Sequence, residues 1–276
     1  MDKYIQAYLQ SLDLAEPQHT LAWVQSLQTA HLARYPFSSV NVILSRDLSL
    51  EPEALFDRLV SERSGGYCFE HNKVIFLALQ SLGFDVRPLI GRVMLNGNPD
   101  NGRSHRLTLL QLDGKPYLID GGFGVMTPRR VIALETGEAQ DSLRYDYHVE
   151  PDGRGGFMVI ARHGDTAQTL YRFDFAEYVE SDCQIAHFYS YQSPDAAFVN
   201  HLVVSRIVAE RRMLIRNLTY FEYDDQHVSD KTVAIEDSTM LYQLLKTQFK
   251  LTVTEQEAAH LFAHQTAKLR QMQTNG

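Results

Sequence analysis

Hydrophobic positions in the first third of the chain recur at helical spacing. Tyr4, Ile5, Tyr8, Leu9 and Leu12 fall on one face, as do Leu21, Val24, Leu27 and Ala30 further on. Leu55, Leu59 and Val60 continue the pattern after Pro52, which a first helical turn tolerates because its N–H has no partner there anyway. The clearest expectation is a helix over 68–82. Ile75, Leu77, Ala78, Leu79 and Leu82 make a broad apolar stripe, and Gly83 stands where a left-handed cap belongs.

From Phe84 the period falls to that of strands. A first run over 86–95 leads into a polar loop over 96–103, then further strand-length runs extend to about Phe175. Glycines and aspartates punctuate them, as in Asp152-Gly153-Arg154-Gly155-Gly156. Beyond Tyr178 the pattern mixes. Residues 196–204 read as a short helix, 214–223 and 232–235 as strands, and 237–249 and 254–272 as closing helices. The first of these opens on an Asp-Ser-Thr cap. The order predicts an α+β chain of three units: a helical bundle over 1–83, an antiparallel β-barrel over 84–190 and an α/β lid over 191–276.

Composition narrows the partners. With 44% hydrophobic and 22% charged residues the chain is an ordinary folded protein. A net charge of −8 argues against general nucleic-acid binding, which needs basic surface to neutralise phosphates. A small anionic ligand held by local donors stays open. Two cysteines are too few for a disulfide scaffold or a thiol-rich zinc site, so a reduced setting is expected. Met1-Asp2-Lys3-Tyr4 lacks the basic-then-apolar order of a signal peptide, and no run approaches the roughly 18 apolar residues of a membrane span. The expectation is a cytoplasmic protein without nucleic-acid or membrane partners, and no feature specifies an oligomer. His260 and His264 have metal-ligand spacing, but no Glu follows His260 and no third ligand is evident, so they are expected on the surface with no metal.

The chemistry concentrates in Arg63-Ser64-Gly65-Gly66-Tyr67-Cys68-Phe69-Glu70-His71-Asn72. A thiolate, not a thiol, is the nucleophile, and the start of a helix favours negative charge at Cys68. Two partners follow downstream: Ser104-His105 opening one strand, and Asp120 before Gly121-Gly122-Phe123-Gly124 closing the next. Leu112-Asp113-Gly114-Lys115 is a two-residue hairpin signal, so facing residue numbers sum to 227. Asp120 then faces Leu107, with His105 two residues on and on the same side, roughly 7–8 Å away at Cα. That is the spacing of a base and its orienting carboxylate. A nucleophile, base and orienter point to covalent acyl transfer.

These motifs resemble the arylamine N-acetyltransferases. The family's Arg-x-x-Gly-Gly-x-Cys-x-Glu-x-Asn signature is matched by Arg63, Gly65, Gly66, Cys68, Glu70 and Asn72, with one residue fewer between the Arg and the glycine pair. Ser104-His105, Asp120-Gly121-Gly122-Phe123-Gly124 and Ser193-Pro194-Asp195-Ala196-Ala197-Phe198 match three further elements. The resemblance implies the same bundle, barrel and lid, and a ping-pong reaction. In it Cys68 takes an acetyl group from acetyl-CoA, a co-substrate rather than a bound cofactor, and passes it to an arylamine, arylhydrazine or arylhydroxylamine. His105 shuttles the proton and Asp120 fixes the imidazole. Phe37, Val93, Phe123 and Phe198 are implied as walls of the amine pocket, although Ser38-Ser39-Val40 replaces the last three residues of the family's Pro-Phe-Glu-Asn-Leu element. Ser104, Gly124, Val125 and Thr127 are implied near the CoA, with Gly124 offering backbone N–H to phosphate. The alternatives are a cysteine hydrolase or amide-forming acyltransferase of related geometry, and a non-catalytic relative, which the intact trio disfavours. Cys183 is expected to be a buried structural thiol.

Overall fold

The computed structural model describes residues 2–135, 137–141, 143–226 and 230–274. Helices α1 (Lys3–Ser11), α2 (Leu21–Arg34) and the short α3 (Val40–Ile43) flank β1 (Phe37–Ser38). Helix α4 (Pro52–Phe56) runs into a π-helical turn over Asp57–Ser61, and α5 (Cys68–Ser81) follows. The apolar stripes read from the sequence meet here: Tyr8, Val24, Leu27, Leu55, Leu59, Ile75 and Leu79 share one buried core.

Seven strands come next: β2 (Asp85–Val93), β3 (Arg103–Leu112), β4 (Lys115–Ile119), β5 (Ile132–Ala133), β6 (Asp146–Pro151), β7 (Phe157–His163) and β8 (Thr166–Phe173). They form one antiparallel sheet in the order β5-β4-β3-β2-β8-β7-β6. Gln140 draws its two edges together. Its backbone pairs with Tyr147 on β6, while its side-chain amide exchanges hydrogen bonds with the Ala133 N–H and C=O on β5. The result is the nearly closed barrel expected from the sequence.

Strand β3 is buried on both faces, and alternation divides its duties. Leu107 and Leu109 fill the barrel, while Leu110 packs on the helical core. His105 shares the parity of Leu107 and Leu109, and its ring lies among barrel residues; Arg106 points the other way, over Phe76 of α5. The hairpin has the predicted register, from Leu112↔Lys115 to Thr108↔Ile119, with Asp113 and Gly114 both at positive φ.

The last part differs from its sequence reading in three places. Helix α6 (Glu180–Gln192) was not legible, because its buried positions are Cys183, His187 and Ser190 while Ile185, Phe188 and Tyr189 stay exposed. The expected helix over 196–204 is one turn, α7 (Ala197–Asn200), after which β9 (Val203–Val208) begins. The single strand read over 214–223 is a hairpin, β10 (Arg211–Arg216) and β11 (Thr219–Asp224), turning at Asn217 with φ 56°. Strand β12 (Lys231–Ala234) completes a second sheet, β1-β9-β10-β11-β12, covered by α8 (Ser238–Thr247) and α9 (Glu255–Thr274). The N-terminal strand β1 thus edges the C-terminal sheet. Among the described residues, no helix is long and apolar enough to cross a membrane.

Candidate active site

Cys68 opens α5 behind a tight turn. Gly65 sits at φ +78°, and a Cβ there would come 2.7 Å from the Ser38 Cβ, so this chain needs a glycine facing a small residue. The Glu70 carboxylate accepts the Tyr67 N–H at 2.9 Å, capping the helix, and pairs with Arg58 at 2.8 Å. Burial raises the Glu70 carboxyl, and the Arg58 charge opposes that shift. The thiol is 3% exposed.

The histidine strand meets it through a bulge. Gly91 pairs with His105 but the next residue, Arg92, pairs with Arg103, leaving Ser104 as the extra residue. Its carbonyl accepts from Cys68 Sγ at 3.6 Å. Asn72, one helical turn beyond Cys68, ties the three segments together. Its amide donates to the Arg106 carbonyl at 2.7 Å and to Asp120 Oδ1 at 3.2 Å, and its oxygen accepts the Gly121 N–H at 2.8 Å.

His105 donates through Nε2 to Asp120 Oδ2 at 2.8 Å, the contact that hairpin parity predicted. This leaves Nδ1 for a second partner. Asp120 Oδ1 also accepts the Gly122 N–H at 2.9 Å. Burial pulls the Asp120 carboxyl upward, but the imidazole and these donors outweigh it and hold it below its ordinary value. Burial pushes the Cys68 thiol well up, and the backbone N–H groups of Arg106 and Phe69 offset this only in part. Burial thus disfavours a free thiolate, and a base that takes the proton would supply the nucleophile. Gly122 closes the arrangement, because a Cβ there would lie 2.9 Å from the Cys68 Cα.

Aromatic rings surround the trio in two groups. Phe198 lies 5.6 Å from Phe37 and 5.1 Å from Tyr67, between ring centroids. Phe123 meets the His105 ring edge-on at 4.8 Å, with Tyr171 5.0 Å from both. The groups approach at Gly124, whose Cβ direction faces Phe37 Cδ1 at 4.0 Å. Val93 is half-buried and pairs with Tyr171 across β2 and β8.

Of the residues implied near CoA, Ser104 faces the thiol through its carbonyl, and Gly124, at φ +71°, begins a 3₁₀ turn over Gly124–Met126. The Thr127 hydroxyl is committed to that loop, accepting the Phe123 N–H and donating to the Gly124 carbonyl. Arg212 on β10 donates to the Val125 and Thr127 carbonyls while paired with Asp225.

Three residues without a role in the sequence reading belong to this site. Asn72 was visible only as a signature position. Tyr171 comes from a strand more than sixty residues beyond His105; its hydroxyl is buried near Asp120, and burial followed by the Asp120 charge raises it well above the ordinary range. His187 on α6 stacks on Tyr67, and its Nδ1 accepts a hydrogen bond from the Tyr67 hydroxyl at 2.5 Å. Cys183 is fully buried, and burial lifts it to about 11. His260 is exposed and His264 half-buried, and no cluster of metal-ligating side chains occurs among the described residues.

The cysteine at the start of α5 lies beside a histidine–aspartate pair carried by the barrel, and the N-acetyltransferase family model matches residues 20–258, which makes the chain an acyltransferase. The chain belongs to the arylamine N-acetyltransferase family. It is 33% identical over 238 residues to the arylamine N-acetyltransferase / N-hydroxyarylamine O-acetyltransferase of Salmonella typhimurium, covering 84% of each chain. The solved arylamine N-acetyltransferase from Salmonella typhimurium superposes with a TM-score of 0.89 at 31% identity, covering 95% of this chain and 99% of that one. The Mycobacterium marinum arylamine N-acetyltransferase, solved in complex with CoA, gives 0.87 at 26% identity, with 94% and 98% covered.

Proposed function

We propose that the chain moves an acetyl group from acetyl-CoA to the nitrogen of a small arylamine, arylhydrazine or arylhydroxylamine through an acetyl-Cys68 intermediate. The observation that carries this is the fixed line from Asn72 through Asp120 to His105, set against the Cys68 thiol. His105 Nδ1 takes the thiol proton as Cys68 Sγ attacks the thioester carbonyl. Asp120 stabilises the imidazolium and holds its tautomer. The tetrahedral intermediate expels CoA thiolate, which receives that proton. In the second half-reaction the amine attacks the acetyl-cysteine, gives a proton to His105 and releases the thiol. The backbone N–H of Cys68 is the candidate oxyanion donor.

Phe37, Phe123 and Phe198, with Val93 at the margin, form the acceptor pocket; flat rings stacked edge-on suit an aromatic amine better than a peptide. Ser104, Gly124 and Val125 take the CoA arm, and Thr127 holds their turn in shape. The two buried free thiols fit a reducing, cytoplasmic setting. The chain works as three units, 1–83 carrying Cys68, 84–190 carrying His105 and Asp120, and 191–276 as the lid.

Steady-state kinetics with both substrates varied test the reaction order. Parallel double-reciprocal lines are expected, with CoA released before amine binds. Intersecting lines would mean direct transfer in a ternary complex and remove Cys68 as carrier.

A further inference from the structure

Three buried side chains outside the trio form one hydrogen-bonded line. Tyr8 on α1, His31 on α2 and His71 on α5 have no exposed surface. The Tyr8 hydroxyl lies 2.8 Å from His31 Nδ1, and His31 Nε2 lies 2.8 Å from His71 Nδ1. His71 Nε2 then reaches the Gly66 carbonyl at 3.0 Å and the Pro36 carbonyl at 3.2 Å. Carbonyl oxygens only accept, so His71 Nε2 carries a proton. A neutral His71 therefore accepts at Nδ1, which makes His31 Nε2 the donor and leaves His31 Nδ1 to accept from Tyr8. Burial keeps both rings neutral, lowering His71 to about 4 and His31 well below its ordinary value. Every proton in the line has one place.

The line ends where three functional segments converge. Pro36 precedes Phe37, and Gly66 lies two residues before Cys68; Phe37 and Gly66 form a β-bridge, with the Ser38 N–H on the Gly66 carbonyl at 2.6 Å. The His71 ring lies nearly parallel to Phe37, 6.3 Å away at 11°. The turn after Asp120 lies against the same two residues: behind the nearer Cys68 Cα and Ile75 Cδ1, a Cβ on Gly122 would meet the His71 Cβ at 3.2 Å, and one on Gly121 the His31 ring at Cδ2, 3.4 Å away.

We propose that His71 is a positioning residue for acceptor transfer, its Nε2–H clipping the Phe37 strand to the Gly66 loop and so setting the gap between aromatic wall and nucleophile. The proposal rests on the reading of Cys68 and Phe37 given above. Its test separates the half-reactions by quenched-flow mass spectrometry of the whole enzyme. His71→Leu should lower transfer from acetyl-Cys68 to a flat arylamine about tenfold, the equivalent of one lost buried hydrogen bond, with a raised amine KM. Acetylation by acetyl-CoA should fall by a smaller factor. His71→Gln, whose amide reaches the same carbonyls, should recover most of the transfer. Equal losses in both half-reactions, an unaffected Leu variant, or no recovery with Gln would overturn it. A readout independent of activity is ¹⁵N NMR of the wild-type histidines. Both His31 and His71 should be Nε2–H tautomers, with a scalar coupling from His31 Nε2 to His71 Nδ1; other tautomers or no coupling would overturn the clip. If wild-type Cys68 takes no acetyl group while that coupling is present, the functional reading fails and the clip stands.

Discussion

At the scale of single residues, the site depends on small groups where backbones crowd. Gly122 is the sharpest case, since any side chain would press on the Cys68 Cα, a backbone atom that cannot step aside. Gly122→Ala should keep the fold but push the Asp120 turn away from α5, cutting kcat/KM by about a hundredfold or more, as an ångström of misplacement does. Thermal melting near that of the wild type with near-normal turnover would show the contact to be slack. Asp120→Asn should lose several orders of magnitude in kcat, because the amide invites the wrong imidazole tautomer. A variant of ordinary activity would reduce Asp120 to a turn residue. The His105–Asp120 pair was legible because a two-residue hairpin fixes parity along both strands. The Ser104 bulge and Tyr171 were not. A bulge leaves no composition signal when its extra residue is an ordinary serine, and the pairing of β2 with β8 is long-range.

Elements with aliphatic stripes or explicit caps were the legible ones. Helix α5 announced itself through Ile75, Ala78 and Leu79, and α8 through Asp237, whose side chain accepts the Met240 N–H at 2.7 Å. Asp237→Ala should cost about 1 kcal/mol, as lost helix N-caps do; an unchanged urea midpoint would show the cap idle. Helix α6 hid because its inward face is polar. There Cys183, His187 and Ser190 keep helical spacing, and burial is made tolerable by specific bonds such as His187 Nε2 to the Leu48 carbonyl at 2.8 Å. The β10–β11 hairpin hid because Asn217 alone marks the turn, in a run that otherwise reads as continuous strand.

For the molecule as a whole, the helical, β and mixed order carried the α+β class, but not the route by which β1 joins the C-terminal sheet. That crossing puts Phe37 beside Phe198 and in the same buried cluster as Cys68. Buried neutral imidazoles brace the junction, and they tie stability to pH. Burial lowers His71 and His187 each to about 4. In the unfolded chain a histidine titrates near 6.5, so below that pH the unfolded state binds protons that the folded state refuses. Stability should fall as pH drops from about 6.5 towards 4, by on the order of 2 kcal/mol per imidazole at pH 5. A urea midpoint flat between pH 7 and pH 5 would contradict this, and would mean the rings gain protons without loss of structure.

The whole reaction turns on whether Cys68 carries the acyl group. Intact-mass measurement after brief mixing with acetyl-CoA, followed by peptide mapping, tests it most directly. A gain of about 42 Da on Cys68 is expected, as covalent catalysis by this thiol requires, absent in Cys68→Ala and discharged by added arylamine. Folded, reduced protein that turns over acetyl-CoA and amine with no adduct on Cys68 would contradict it.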